Sequence, residues 1–230
     1  MSQYDRKDHF YQKAKKEGYA ARSAYKLLEM DERFKIFKPG IKIVDLGCAP
    51  GSWMQVAEEK LLVSNKGAAS SAPTTSAPPH IHTPAHPHTG TSTHPHIIGI
   101  DLLPLHYQPG DNVFFIQGNF LEEENRKKIK TTLGGAAHWV LSDMSPNLSG
   151  IAFKDQEASL ELVEKAFQFS KEVLKKGGGL VVKIFPGPSM GPLKNEMKKY
   201  FKNRETYIPE ATRNTSDEVY LVATGFQRTT

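Results

Sequence analysis

The stretch Ile41–Trp53, IKIVDLGCAPGSW, decides the fold. Apolar residues run into Asp45, a Gly-x-x-x-Gly turn follows, and an amphipathic helix is predicted over Met54 to Leu62. A buried parallel strand, a tight glycine loop and a helix N-terminus in that order present bare backbone N–H groups and a positive helix dipole to a nucleotide-like ligand. Gly47 and Gly51 permit backbone conformations and a close approach that a Cβ would block. The loop reads GCAPG rather than G-x-G-x-x-G, which argues against a nicotinamide or flavin site. A methyl-donor site and other α/β nucleotide pockets both stay open. Cys48, inside the loop, reads as a small buried side chain.

Downstream, Ser64–His96 is almost entirely Ser, Thr, Ala, Pro, Gly and His, with one Ile and no aromatic residue. Such a stretch cannot bury enough surface to fold alone, so it reads as a disordered insertion between a helix and the next strand. Six of the nine histidines lie here as His80/His82, His86/His88 and His94/His96. Without acidic or thiol co-ligands they do not define a metal site, and no metal is expected. A helix after the first strand returns toward the amino edge of a parallel sheet, whereas ligands bind at the carboxyl edge. The insertion therefore belongs away from the chemistry.

Ile97–Leu103 is the second strand and ends near Asp101. A ribose-binding acid lies about 20 residues past the glycine loop in dinucleotide folds. Asp101 is 50 residues past Gly51, and without the 33-residue insertion the spacing is 17. Asp101 is then an acceptor for ribose hydroxyls; the alternative is a surface acid closing a strand. Val113–Gln117 is a third strand, and a charged helix starts at Glu122–Lys130. His138–Asp143 is a fourth strand that delivers Asp143 into a turn closed by Pro146. A helix over Ala158–Leu174 follows, with Lys175-Lys176-Gly177 as its C-terminal signal. Leu180–Phe185 is a fifth strand carrying Lys183; Gly191–Phe201 is a basic helix, Thr206–Ile208 is extended, and Glu218–Phe226 is the last strand.

Strands alternating with helices give an α/β, mostly parallel, doubly wound sheet. Asp143 and Lys183 fall at the carboxyl edge. An antiparallel last strand, common at the end of such sheets, would bring Glu218 to the same edge. A lysine within LVVKIF is costly unless paired or snorkelling. Each charge alone fits a structural ion pair, but three converging on a ligand edge favour catalysis.

The 230 residues are sufficient for one α/β domain with a full core. One cysteine excludes an internal disulfide framework and fits a reducing compartment. No apolar run approaches a membrane span, and Met1–Tyr11 is charged and polar, so a cytoplasmic enzyme is expected. Net charge is +5 and the pI about 9.1, which admits a polyanionic partner without requiring one. Asp5–Met30 concentrates basic and aromatic residues and should form two short helices divided at Gly18. It is either a solvated cap packed through Ala21, Tyr25 and Leu28, or a phosphate-contacting face with aromatic residues for base stacking.

With these motifs in hand, the chain resembles the FtsJ/RrmJ family of S-adenosylmethionine-dependent RNA ribose 2′-O-methyltransferases. The likeness covers nearly everything outside Ser64–His96. It rests on RSAYKL (22–27), VDLGCAPGSW (44–53), IGIDLLP (98–104), SDMSPN (142–147), VVKIF (181–185) and SDEVYLVATG (216–225). The resemblance implies one Rossmann-like class I methyltransferase domain over 1–230, with 1–30 as a basic helical extension. It places a Lys-Asp-Lys-Glu catalytic tetrad on Lys26, Asp143, Lys183 and Glu218, adding a lysine that strand-end spacing does not reach. It places donor binding on Gly47, Gly51, Trp53, Asp101, Asn119 and Asp143. Asn119 departs from the family's usual acid; its carbonyl can still accept from an adenine amino group, but without charge assistance, which is worth about twofold in bond strength.

The resemblance further implies S-adenosylmethionine as cofactor and large-subunit ribosomal RNA or the large ribosomal subunit as partner, with a uridine as target. Transfer RNA is the family's other branch, and no obligate protein partner is expected. A methyltransferase for other substrates has no use for the tetrad, and an idle RNA-binding protein has no need to keep all four positions. Lys183 is expected to accept or polarise the 2′-hydroxyl proton, with Asp143 orienting the amine and Glu218 holding Lys26 or the ribose. Lys13, Lys15, Lys16, Arg22, Lys194, Lys198, Lys199 and Arg213 are candidates for phosphate contact.

Overall fold

The computed structural model describes residues 9–66, 96–213 and 215–227. A seven-stranded sheet runs β3-β2-β1-β4-β5-β7-β6. The strands are β1 (Ile43–Leu46), β2 (Ile97–Asp101), β3 (Val113–Gln117), β4 (Ala137–Ser142), β5 (Leu174–Ile184), β6 (Phe201–Tyr207) and β7 (Val219–Phe226). The first five pair in parallel, and β7 lies antiparallel to both β5 and β6. The mostly parallel α/β sheet with an antiparallel last strand is therefore as expected. β7, however, is inserted between β5 and β6 and is not the edge.

Alternating residues sort the core onto the two faces. Ile43, Ile97, Leu141, Val181, Tyr220 and Val222 face α2 (Ala24–Phe34) and α3 (Ser52–Lys66). Val44, Ile98, Val140, Leu180, Val182 and Leu221 face α4 (Glu123–Leu133), α5 (Ala152–Val173) and α6 (Met190–Met197). α1 (His9–Glu17) is separated from α2 by Gly18, whose φ is +81°. It docks through Ala14, which shares a small cluster with Tyr25 and Ala211.

Several element boundaries differ from the sequence expectation. α3 continues past Leu62 to Lys66, into the stretch read as insertion; residues 67–95, with five of the six paired histidines, lie outside the described residues. His96 is described and its Nδ1 lies 3.0 Å from the Ile41 carbonyl, at the amino edge of the sheet. α5 begins at Ala152 rather than Ala158, and Asp155 in its first turn ties down the entering chain: its carboxylate accepts from Ser149 N (2.7 Å), Ser149 Oγ (2.8 Å) and Gly150 N (3.1 Å). The helix ends at Val173, and Lys175-Lys176-Gly177 is not its terminus but the bulged start of β5. The following glycines serve β-pairing: a Cβ on Gly179 would meet the Trp139 ring at 2.3 Å. β6 occupies seven residues where only Thr206–Ile208 was expected, and α6 stops at Met197 rather than Phe201.

Candidate active site

The carboxyl ends of β1, β2, β4 and β5 and the start of β7 meet at one edge. There the glycine loop after β1 turns under the segment following β4. Gly47 has φ +72°, and a Cβ on it would sit 2.1 Å from Met144 Cγ; Gly51 has φ +113°, with the Tyr107 ring 2.6 Å from its would-be Cβ. Both positions therefore require glycine on two grounds, conformation and space.

Two ion pairs share this edge. Lys26, on α2, pairs with Glu218, and only about a tenth of either side chain is exposed. Lys183 donates to the Asp143 main-chain carbonyl (2.6 Å) and lies 3.1 Å from its Oδ1. Tyr220 joins the pairs. It faces Lys183 across the β5–β7 ladder, its hydroxyl donates to Asp143 Oδ1 at 2.6 Å, and Lys26 Nζ stands 5.8 Å from its ring centroid. All four tetrad residues are thus brought together. Glu218 holds Lys26, and Asp143 orients Lys183. Burial pushes the Asp143 carboxyl up, but Lys183, Lys26 and the Tyr220 hydroxyl outweigh it and hold the group below its usual range. The Tyr220 hydroxyl is driven well up by burial, then by the charges of Asp143 and Glu218, so it stays a donor.

One strand away, Asp45 is treated oppositely. It is 2% exposed, and neither carboxylate oxygen has a hydrogen-bond partner. Burial, then the negative charges of Asp143 and Asp101, raise its pKa well above the ordinary carboxylate value. It lines a cavity of about 30 Å³ with Ser23, Gly47, Ser52, Trp53 and Asp143, room for one small polar group. Sequence reasoning treated Asp45 only as a strand end; a lone acid in an apolar strand leading into a glycine loop was the available signal. Tyr220 was missed too, although its spacing of two from Glu218 in a strand was legible. A larger groove of about 570 Å³ lies against the other face of the sheet, between α5 and α6, and contains none of these charges.

Asp101 Oδ2 accepts from Ala49 N (2.9 Å) and Oδ1 from Leu103 N (2.9 Å), so the acid fastens the glycine loop to β2 while keeping lone pairs for a ligand. Trp53 is 2% exposed; its indole N–H donates to the Ser23 carbonyl (2.8 Å) and its ring lies 5.8 Å from that of Tyr220. It anchors the start of α2, and with it Lys26, to the segment that follows the glycine loop. Asn119 Oδ1 accepts from Leu121 N at 3.0 Å, so the carbonyl expected to face an adenine already serves its own turn.

The basic residues divide. α1 packs beside the tetrad helix, with Lys13 Nζ 4.5 Å from the Tyr25 ring centroid and Lys15 and Lys16 exposed. Arg22 donates to the Ala211 carbonyl and ties the 208–213 loop to α2, with the Glu29 carboxylate accepting from Ala211 N (3.0 Å) as a second tie. Lys198 and Lys199 follow α6 toward the amino edge, away from the tetrad. Lys199 pairs with Glu196, and Lys194 donates to Thr206 Oγ1 (3.0 Å).

A glycine loop under a buried acid, with two lysine–carboxylate pairs at adjoining strand ends, defines a Rossmann-like α/β transferase of the methyltransferase type. Residues 19–226 match the FtsJ-like methyltransferase family, and the chain belongs to it. Over 225 residues it is 39% identical to ribosomal RNA large subunit methyltransferase E of Coxiella burnetii, covering 96% of this chain and 91% of the relative. The namesake in Methanothrix thermoacetophila is 36% identical over 218 residues, covering 95% of this chain and 72% of the relative. A crystal structure of a protein described as a ribosomal RNA methyltransferase of Plasmodium falciparum superposes with TM-score 0.67 and 27% identity. That match covers 90% of this chain and 98% of the other.

Proposed function

We propose that the protein methylates a ribose 2′-hydroxyl of large-subunit ribosomal RNA, at a uridine, with S-adenosylmethionine as donor. The observation that carries this is the pairing of Lys26–Glu218 with Asp143–Lys183 through Tyr220, beside an unpartnered buried acid. The likeness to relatives named for large-subunit ribosomal RNA supports the substrate.

The donor's chemistry fits the residues present. Asp45 is a bare acid that a cationic group would satisfy. Gly47 and Gly51 allow close approach, Asp101 can accept from ribose hydroxyls, and Trp53 and Asp143 line the same cavity as Asp45, while the Asn119 carbonyl would have to release the Leu121 N–H to meet an adenine. When bound, S-adenosylmethionine supplies a methyl carbon made electrophilic by a sulfonium. The protein's own work is to place the ribose oxygen in line and dispose of its proton. Lys183 takes that proton. Its amine is aimed by two acceptors on one residue, the Asp143 carbonyl and carboxylate, and Tyr220 fixes that carboxylate in turn. Lys26, immobilised by Glu218, steadies the ribose.

Lys13, Lys15, Lys16 and Arg213 carry the phosphate-contacting face, since they lie on the tetrad side, whereas Lys198 and Lys199 do not. RNA affinity should then fall steeply with salt. Among the described residues no helix is long and apolar enough to cross a membrane; a ribosomal substrate supports a cytoplasmic location. The test is radiolabelled methyl transfer to free ribosomal RNA, assembled large subunits and tRNA, with digestion to nucleotides. Label in a 2′-O-methyluridine of the large subunit is the expected result. Intact donor binding with no label in any RNA would overturn the proposal.

A further inference from the structure

Between the catalytic Asp143 and the body of α5 lies a short segment whose surface does not match its rigidity. Leu148, Ile151 and Phe153 are 60%, 52% and 66% exposed, three large apolar side chains within six residues. Exposed apolar side chains occurring singly need no explanation, whereas a cluster marks a contact surface. The backbone beneath is pinned. Besides the Asp155 bonds to Ser149 and Gly150 already described, Ile151 N donates to Ser149 Oγ (3.2 Å) and Asp155 N to the Ile151 carbonyl (3.0 Å). Hydrogen bonds from the Ser149 N–H and hydroxyl lower the pKa of Asp155, so its carboxylate keeps these ties at neutral pH. The helix is also fastened to the site: Phe185 N, two residues past Lys183, donates to Ser159 Oγ at 3.1 Å. Phe153 lies six residues before Ser159, about 9 Å along a helix, at the end of α5 nearest the carboxyl edge of the sheet.

We propose that Phe153, flanked by Leu148 and Ile151, is a stacking platform for a nucleobase next to the methylated nucleotide. This rests on the RNA ribose as substrate. Sequence-specific recognition of RNA favours single-stranded loops, bulges and ends, where the bases beside the target lack stacking partners. Unstacked bases are taken up on aromatic faces, and a base has a π-face whatever its identity. A platform held still before RNA arrives loses little entropy on binding. Lys154, the next residue in the chain, is exposed and available to a phosphate. The platform acts on RNA binding and leaves donor binding and the proton-transfer geometry alone.

The test compares Phe153→Ala, Phe153→Leu and Phe153→Trp in the full chain. It measures the Kd for large-subunit ribosomal RNA, the KM for the same RNA and the Kd for S-adenosylmethionine. At about 1–3 kcal/mol per stacked base, Ala and Leu should each raise the RNA Kd and KM about tenfold. Trp should stay within about twofold, and donor Kd and kcat should be unchanged in all three. Wild-type RNA affinity in the Ala variant overturns the platform. Wild-type affinity in Leu but not Ala also overturns it, because an apolar protein surface would then be the occupant. If the wild type binds RNA but transfers no methyl group, the proposed activity fails, and the RNA Kd series still decides the platform.

Discussion

Asp45 and Asp143 sit at the ends of neighbouring parallel strands, the first buried and the second half-buried, and are treated in opposite ways. Asp143 receives an ammonium, a second cation nearby and a tyrosine hydroxyl, and its carboxyl is held below the usual range. Asp45 receives nothing from the protein, and its carboxyl is pushed up. A buried acid that the chain satisfies is part of its own machinery; here Asp143 fixes a lysine. One that the chain leaves bare costs stability until something else brings a partner. With the proposed function, the difference divides the edge into a transfer half, whose side chains pair with one another, and a donor half, whose acid has no partner.

The division breaks or holds on Lys183 first. Lys183→Met should lower turnover by about 10³-fold, within the range for loss of an acid–base group, while donor affinity changes less than about twofold. Isothermal calorimetry beside single-turnover assays reads both. Donor affinity falling in parallel with turnover would merge the halves.

Asp143→Asn keeps the shape and removes the charge that aims Lys183. Turnover should fall by about 10²-fold, since positioning contributes less than the reacting group itself. The same variant tests stability. Because the folded-state pKa of Asp143 lies below its ordinary 3.8, wild type carries a stabilising contribution above that pH and loses it as pH falls through the depressed value. Acid unfolding of the Asn variant, followed by circular dichroism, should lack that part of the slope.

For Asp45 the signs invert. Its raised pKa means the folded, ligand-free state holds the proton that the unfolded chain gives up above pH 3.8, so the bare site costs stability as pH rises through that value. Asp45→Asn should therefore raise the melting temperature without donor and weaken donor binding about tenfold, as for loss of one charge-assisted contact. Saturating donor should restore kcat. In wild type, donor affinity should rise with pH, with proton release visible as buffer-dependent heats. Buffer-independent heats would mean Asp45 faces no cationic group. Tyr220→Phe, which removes one hydrogen bond worth about 1 kcal/mol, should cost turnover only about fivefold.

Which of these residues the sequence disclosed follows from how local their signals are. The β1–glycine loop–α3 unit is written in one short run, and its helix was legible because strand, turn and cap adjoin in the chain. Asp143, Lys183 and Glu218 were legible as strand ends, and Lys26 only through the resemblance, because nothing local says which face of the sheet α2 covers. Tyr220 depends on the antiparallel register that sets it opposite Lys183, and register is a property of the pair, not of either strand. Burial hid Asp45's importance, since an acid in an apolar strand looks the same whether the fold pairs it or leaves it bare. The start of β5 was misread because a basic pair before glycine signals a helix end, and the bulge that claims it is visible only against Trp139.

The smallest effect expected marks the outer limit of the site. Removing residues 67–95 joins the end of α3 to His96, where the Ile43 N–H donates to the His96 carbonyl at 2.8 Å and β2 begins. From Ile97, β2 runs five residues to Asp101 at the opposite edge, about 13 Å at the usual strand rise. The strand pairs residue for residue with β1 and β3, so a change at its amino end meets a ladder already fixed from both sides. Both halves of the edge should be indifferent: donor Kd and kcat should each stay within about twofold, because a longer connection adds only slowly to loop-closure entropy. If kcat falls tenfold while donor Kd holds, the segment touches the transfer half or its RNA. If donor Kd rises instead, the amino edge reaches the glycine loop through β2, and the donor half extends across the whole sheet.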